Sequence, residues 1–488
     1  MPGSGGSGRV ISRRVRARLL VEPPRPRRIA TDPRAAWLTV ATVSVGAFMG
    51  QLDASIVNIG YPTLQGTFHA SLGAVQWVGL SYLIVLIAAV AAVGRISDML
   101  GRKLLYTYGF VVFGVGSGLC AVAPDLIALD AFRVLQAIGA VMLQANSVAI
   151  ITASLSRDRL GRGIGIQGTA QALGLAFGPI VGGLLIGLGG WRLIFLVNMP
   201  VAVLGVVTSW LFVPRSRDLS EREPFDWLGL TLFVPGLVAL LLALSFGNER
   251  GWNSPEVILL LVISLGTAGL FVLRELRTRY PLIDLGLFHR RRFSIGVATG
   301  LASFLVLFGV LFVTPFYLER SHGFSAAAAG ALLTVLPLAM AAIALLAGRA
   351  VDRLGARPLT ILGMLITAAG LAVAAAHPTI GTLVVALVLA GLGIGMFTPS
   401  NNASVMASVP RQRIGVASGV VNLTRGLGTA LGLSLTALVF ADAIQGGKSA
   451  SATRDGFTRS LILLSIVALA AGLLSLLRRP KAQERPVE

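Results

Sequence analysis

GRISDMLGRK (94–103) and GRAVDRLGAR (348–357) carry glycine, arginine, aspartate, leucine and glycine at the same places, 254 residues apart. The same offset brings LGLAFG (173–178) onto LGTALG (427–432), and RVLQAIGAVM (133–142) onto LVLAGLGIGM (387–396). Three dissimilar stretches agreeing on one spacing mark a chain built from two related halves in parallel order.

What lies between the repeats is apolar. The chain has 488 residues, 55% hydrophobic and 13% charged, with a mean hydropathy of +0.81. Soluble domains carry about 25% charged residues. Apolar runs recur that are long enough to cross a hydrocarbon core of about 30 Å. Spans are expected near 37–60, 74–94, 104–123, 128–150, 163–187, 193–213, 227–247, 256–273, 294–317, 327–347, 358–376, 380–400, 414–440 and 460–477. Repeats that share an orientation need an even number of spans each, so six fall in each half. The expected fold is an all-α membrane protein with fourteen transmembrane helices. Two pseudo-symmetric six-helix bundles (36–213 and 290–478) flank a two-helix insert (226–276), with a basic disordered tail over 1–35 and a second tail over 479–488.

The net charge of +20 follows this topology. Fourteen spans put both termini on one side, where 33 of the 41 Lys and Arg residues fall. Arg192, Arg250, Arg320, Lys448, Arg454 and Arg459 lie opposite, while Arg133 and Arg425 fall inside spans. The bias places both termini in the cytoplasm and predicts contact with an anionic inner leaflet; nucleic acid is not expected as a partner. Trp37, Trp77, Trp191, Trp210, Trp227 and Trp252 all stand near expected span ends, where amphipathic rings settle. The single cysteine, Cys120, excludes an internal disulfide. The four histidines have no metal-ligand spacing, and GIGIQG (163–168) opens a membrane span with no strand before it, so neither a metal nor a nucleotide cofactor is expected. Arginine outnumbers lysine 38 to 3, which points to a GC-rich bacterial genome.

GRISDMLGRK resembles the loop signature of the major facilitator superfamily, between its second and third spans. GLAFGPIVGG (174–183) resembles the antiporter motif of that family's fifth span. QLDASIVNIGYP (51–62), WVGLSYL (77–83), WRLIFLVNMP (191–200) and FDWLGL (225–230) resemble its fourteen-helix drug/proton antiporter branch. Ala137 departs from the pattern, which has glycine there. The resemblance implies a proton-driven exporter of amphipathic, drug-like compounds in a bacterial cytoplasmic membrane, with no enzymatic activity. A dedicated exporter of one metabolite or self-made antibiotic, and a transporter-like sensor, are the alternatives. A monomer is expected.

The loops suit a gate. Gly94, Arg95, Asp98, Gly101, Arg102 and Lys103 in the first half, with Asp352, Arg353 and Arg357 in the second, can bridge helices in one conformation and release them in another. A tight turn with topology-setting cations is the simpler reading. Gly174, Gly178, Gly182 and Gly183 allow close helix approach, and Pro179 removes a backbone donor. Its counterpart is Leu433, so the hinge belongs to the first half.

Charges inside spans carry the chemistry. Asp53, about seven residues from the outer end of span 1, Arg133, Gln136 and Tyr82 fall in one layer roughly 5 Å thick at 1.5 Å rise per residue. A buried carboxylate costs roughly 2.5–3.5 kcal/mol, so a partner is expected, and Asp53 with Arg133 is the candidate for proton coupling or for a substrate cation. Their counterparts are Leu307 and Leu387, and Gln136 maps to Ala390, which argues for chemistry confined to one half. Alternatively, Asp53 caps a broken helix and Arg133 pairs with Asp130 on its own helix. Tyr82, Gln136, Asn422 and Arg425 are expected to line a midplane cavity, and Glu319 to sit at a solvated rim.

Overall fold

A computed structural model describes residues 22, 24–216, 226–278, 281, 283, 285–409, 414–444 and 449–478. Among these residues no strand occurs, and fourteen helices are long and apolar enough to cross a membrane. In order they are Ala35–Phe68, Leu72–Val90, Arg102–Ala121, Leu126–Ser154, Gly165–Gly189, Leu193–Phe212, Trp227–Gly247, Pro255–Arg277, Arg291–Ser321, Ala326–Ile343, Ala356–Ala376, Ile380–Met406, Gly419–Ala443 and Ala450–Leu476, numbered here as spans 1–14. In hydrocarbon a helix satisfies every backbone group internally, which is why apolar runs of this length fold so. Polar residues set the ends: Asp125 accepts from the Ala128 amide at 2.8 Å, and Ser254 caps the helix that begins with Pro255.

The repeat is a repeat of backbone crossings. Gly101 (φ 113°) and Gly355 (φ 77°) stand 254 residues apart, each between its half's second and third spans, in conformations that disfavour a Cβ. A side chain at Gly139 would strike the backbone of Phe113, and one at Gly393 the Gly363 carbonyl and the Thr367 hydroxyl, the equivalent crossing of spans 11 and 12. Gly174 and Gly178 let span 5 meet span 1 at Phe48 and Ser55, as Gly428 and Gly432 let span 13 meet span 9 at Leu301 and Leu305. Lys103 Nζ donates to the Trp210 carbonyl at 2.8 Å, and its equivalent Arg357 donates to Leu476 at 2.8 Å. Each cation satisfies a carbonyl in the last turn of its half's sixth span. Lys103 and Arg357, expected to serve a cytoplasmic gate by bridging neighbouring helices, each tie the third span of their half to its sixth. The side chains of Arg95, Asp98, Asp352 and Arg353 lie outside those described.

Boundaries read from hydropathy fell short where polar turns stay helical. Span 1 runs on through Pro62 to Phe68 and ends at His69 in the left-handed region (φ 48°). Asp53 is therefore in mid-helix, and QLDASIVNIGYP is not a helix break. Span 14 begins at Ala450, where Ser449 caps it, and its polar first turns include the Arg459–Asp455 pair at 2.8 Å. Of the tail expected to be disordered, residues 1–21 and 23 lie outside the described residues, as does 479–488. Glu22, however, is buried: it accepts from the Leu104 amide at 3.2 Å and the Ser216 amide at 2.6 Å. The two inserted spans carry buried charge at their ends, where Asp226 pairs with Arg274 at 3.3 Å and Glu275 accepts from the Ile283 amide at 2.7 Å.

One apolar cluster joins both halves, with Ile56, Tyr61 and Leu64 against Phe312, Phe316 and Leu333. The Tyr61 and Phe312 rings lie 5.2 Å apart, Arg320 hydrogen-bonds Gln65, and spans 5 and 10 touch where Gly183 meets Ala326 and Gly330 meets Pro179. Toward the face that bears the chain ends the halves have separate cores, around Phe110 in one and Phe293 in the other. Among the described residues the molecule is sealed on one face and has separate cores on the other. Glu319 sits on the sealed face, half-buried rather than solvated, with Oε1 lacking a partner among the described residues.

Gly330→Val tests the seal. A side chain there collides with the Pro179 carbonyl, and overpacking of this kind costs about 1–3 kcal/mol. Cys120 is the only cysteine and is fully buried, so a thiol-reactive fluorophore reports unfolding on heating. The variant should label at a lower temperature than wild type; an unchanged midpoint would show that spans 5 and 10 need not touch.

Candidate functional site

Asp53, in mid-span 1, is completely enclosed. Its Oδ2 accepts from Arg133 Nη1 at 2.6 Å, and Oδ1 accepts from Gln136 Nε2 at 2.8 Å and Asn198 Nδ2 at 2.9 Å. Arg133 also donates through Nε to the Val78 carbonyl at 2.9 Å and through Nη1 to Gln136 Oε1 at 2.6 Å. Gln136 is held in turn by Ser117 at 2.7 Å. Residues from five spans thus close one polar knot. An ion pair in a low-dielectric interior stands only when its other lone pairs and protons are met, and the amides meet them here. Arg133 pairs with Asp53 rather than with Asp130, whose Oδ1 has no partner among the described residues.

Tyr82 roofs the knot. Its ring lies 4.2 Å from the Arg133 guanidinium carbon, and its other side faces a chamber of about 290 Å³. The chamber lies on the chain-end side of the Tyr61–Phe312 seal, between the two halves. Gln51, Gln144, Gln171, Asn422 and Arg425 supply polar wall, and Leu86, Phe304 and Phe308 supply apolar wall. A second cavity of about 20 Å³ touches Arg133 and shares Tyr82 and Thr429 with the chamber.

The expected residues sort into two groups. Tyr82, Asn422 and Arg425 line the chamber. Gln136 was expected there and does not reach it; both ends of its amide are engaged with the ion pair and Ser117. Asp53 and Arg133 also lie behind the wall, so the carboxylate does not face the chamber. Gly174, Gly178, Gly182 and Gly183 press span 5 onto spans 1 and 10, and Pro179 lies within an unbroken helix, Arg157–Gly189. Gly94 has open space beside it, and the Arg102 amide donates to Ser216 at 2.9 Å. Asn198 and Ser117 were missed. The signal for Asn198 was its place inside WRLIFLVNMP, a lone amide among apolar neighbours.

Comparison with known proteins agrees with this architecture. The Major Facilitator Superfamily profile matches residues 43–317 and 296–488. The chain belongs to the major facilitator superfamily. Its relatives there include the riboflavin transporter RibZ of Clostridioides difficile, 34% identical over 412 residues, covering 84% of this chain and 89% of that one. Multidrug resistance protein Stp of Mycobacterium tuberculosis is 31% identical over 84% of this chain and 76% of its own. The tetracenomycin C resistance and export protein of Streptomyces glaucescens is 30% identical, with the same two shares, 84% and 76%. Among solved folds, a bacterial homologue of the lysosomal transporter Spinster superposes with a TM-score of 0.68 at 17% identity, over 91% of this chain and 97% of that one.

Removing one member of the knot strands the other. Asp53→Leu leaves Arg133 buried without its counter-charge, a loss of about 3–5 kcal/mol. Asp53→Leu combined with Arg133→Leu should be less destabilised than the sum of the two single changes, as read from thiol labelling across a denaturant series. Strict additivity would mean that the pair contributes nothing to the fold.

Proposed function

We propose that this protein is a proton-coupled exporter of amphipathic, drug-like compounds, acting as a monomer in a bacterial cytoplasmic membrane with both termini in the cytoplasm. The observation that carries the reading is a sealed carboxylate–guanidinium pair set directly behind the wall of a chamber, with one aromatic ring between them. The span 5 motif and the relatives named for resistance and export support the direction of transport. The proton gradient is the energy source, and no cofactor is required.

In the proposed cycle the conformation described here is open to the cytoplasm and closed outward. Substrate enters the chamber from the cytoplasm or inner leaflet while Asp53 is ionised and holds Arg133. The halves rock about the contacts of spans 1 with 9 and 5 with 10, and the outer side opens. A proton reaching Asp53 neutralises it, so Arg133 loses its counter-charge and the ring of Tyr82 loses its fixed support. The chamber wall then changes shape and releases substrate. Coupling passes through Arg133 and Tyr82, because the carboxylate is out of reach of the cargo.

The test is uptake of aromatic fluorophores, several of each charge, into inverted vesicles under an imposed proton gradient. Wild type should take up at least one dye in a gradient-dependent manner. Asp53→Asn, which keeps the shape and removes the charge, should fall to the level of vesicles lacking the protein. Equal uptake by both forms would remove Asp53 from the coupling path.

A further inference from the structure

The chamber has one formal charge among its described lining residues, the guanidinium of Arg425 in span 13. Every other polar group on that wall is an amide, a hydroxyl or a phenol. Arg425 has no hydrogen bond or ion pair from its side chain among the described residues, and its Nε is buried without an acceptor. It lies over the Phe304 ring at 5.0 Å, and that ring lines the same chamber. The stacking holds the group in place while leaving its donors unclaimed.

The other enclosed arginines are engaged differently. Arg133 is engaged by Asp53, Gln136 and Val78 through its Nε and Nη1. Arg478, just beyond span 14, donates to Thr299 and Asn401 at 2.6 Å each, bracing span 14 against spans 9 and 12. Burial pushes its pKa down to about 10, so it remains a cation at neutral pH. Neither faces the chamber. Nor does the fold require a cation at residue 425, since the equivalent residue of the first half, Gln171, lines the same chamber without charge.

A desolvated cation with no counter-charge is unfavourable, and an arriving anion relieves it. A guanidinium presents a planar fork that meets a carboxylate or sulfonate with two parallel hydrogen bonds. We propose that Arg425 is the anchor for anionic aromatic cargo, so the chamber selects amphiphiles bearing a carboxylate, sulfonate or acidic phenol over cationic ones. Phe304 and Phe308 take the ring system, and Gln51, Gln171 and Asn422 supply neutral hydrogen bonds around it. No carboxylate on the described wall is available to a cation, because Asp53 is spent on Arg133 behind Tyr82. This assignment rests on reading the chamber as the substrate path.

The test is equilibrium binding, with no gradient, to the purified full chain in phosphatidylcholine nanodiscs. Carboxyfluorescein and rhodamine 123 share a xanthene ring system and carry opposite charge. Fluorescence anisotropy should show wild type binding carboxyfluorescein roughly tenfold or more tightly than rhodamine 123, the scale of one charge-assisted hydrogen bond. Arg425→Gln should abolish the preference and Arg425→Lys should retain part of it, both with wild-type unfolding temperatures. Equal affinity for the two dyes, a preference for rhodamine 123, no binding of carboxyfluorescein, or an unchanged preference in Arg425→Gln would each overturn the assignment. A preference for the anion without gradient-driven uptake leaves the anchor standing and removes the coupling. Gradient-driven uptake of rhodamine 123 without that preference does the reverse.

Discussion

The bond between Asp53 and Arg133 constrains more of this molecule than any other contact. Either charge alone in mid-membrane would cost several kcal/mol, so each must find the other and both must be wrapped in hydrogen-bonding groups. That requirement draws spans 1, 3, 4 and 6 to one point, because Ser117, Gln136 and Asn198 arrive from three of them. It also fixes span 2, whose Val78 carbonyl and Tyr82 ring close the remaining side. The second half solves the same packing problem without charge. Leu307, Leu387 and Ala390 occupy the equivalent positions and are buried in an apolar core. A six-helix bundle of this design therefore stands without the ion pair, and the pair must be accounted for by what it does.

Around that centre each half is fastened as one packed body. Glycines at matching places bring backbones together within each half, and Lys103 and Arg357 tie the third span to the sixth in both. Between halves the contacts include aromatic packing at Tyr61 and Phe312, two glycine crossings between spans 5 and 10, and the approach of span 13 to span 2 where Gly426 meets Ile87. The first two lie on one face and the third beside the chamber, while the cores facing the chain ends are separate among the described residues. Separating the first set and joining the second is a rigid rearrangement, the kind a packed and bistable interface permits.

Much of this was legible in the sequence. Hydropathy gave fourteen spans, and one offset gave two halves whose glycine crossings coincide. The depth argument brought Asp53, Arg133, Gln136 and Tyr82 together because charges in hydrocarbon have few alternatives. It failed on boundaries, where polar turns such as TLQGTF remain helical although apolarity has ended. It failed also on facing. A residue at the right depth can look into a cavity or into the neighbouring helix, and Gln136 looks into the helix because Asp53 and Ser117 occupy both ends of its amide. Asn198 went unnoticed since a neutral amide leaves no mark on a charge count, although its bond to Asp53 is as short as many ionic ones.

The asymmetry between halves has an evolutionary consequence. A duplicated chain began with two copies of every position, and here the buried acid–base pair survives in one copy while the chamber cation stands in the other. In the proposed cycle, energy conversion is inherited through the first half and much of cargo recognition through the second. Substitutions around Phe304 and Arg425 can then change what is carried without disturbing how transport is powered. New resistance phenotypes in such a lineage would accumulate preferentially in one half of the gene.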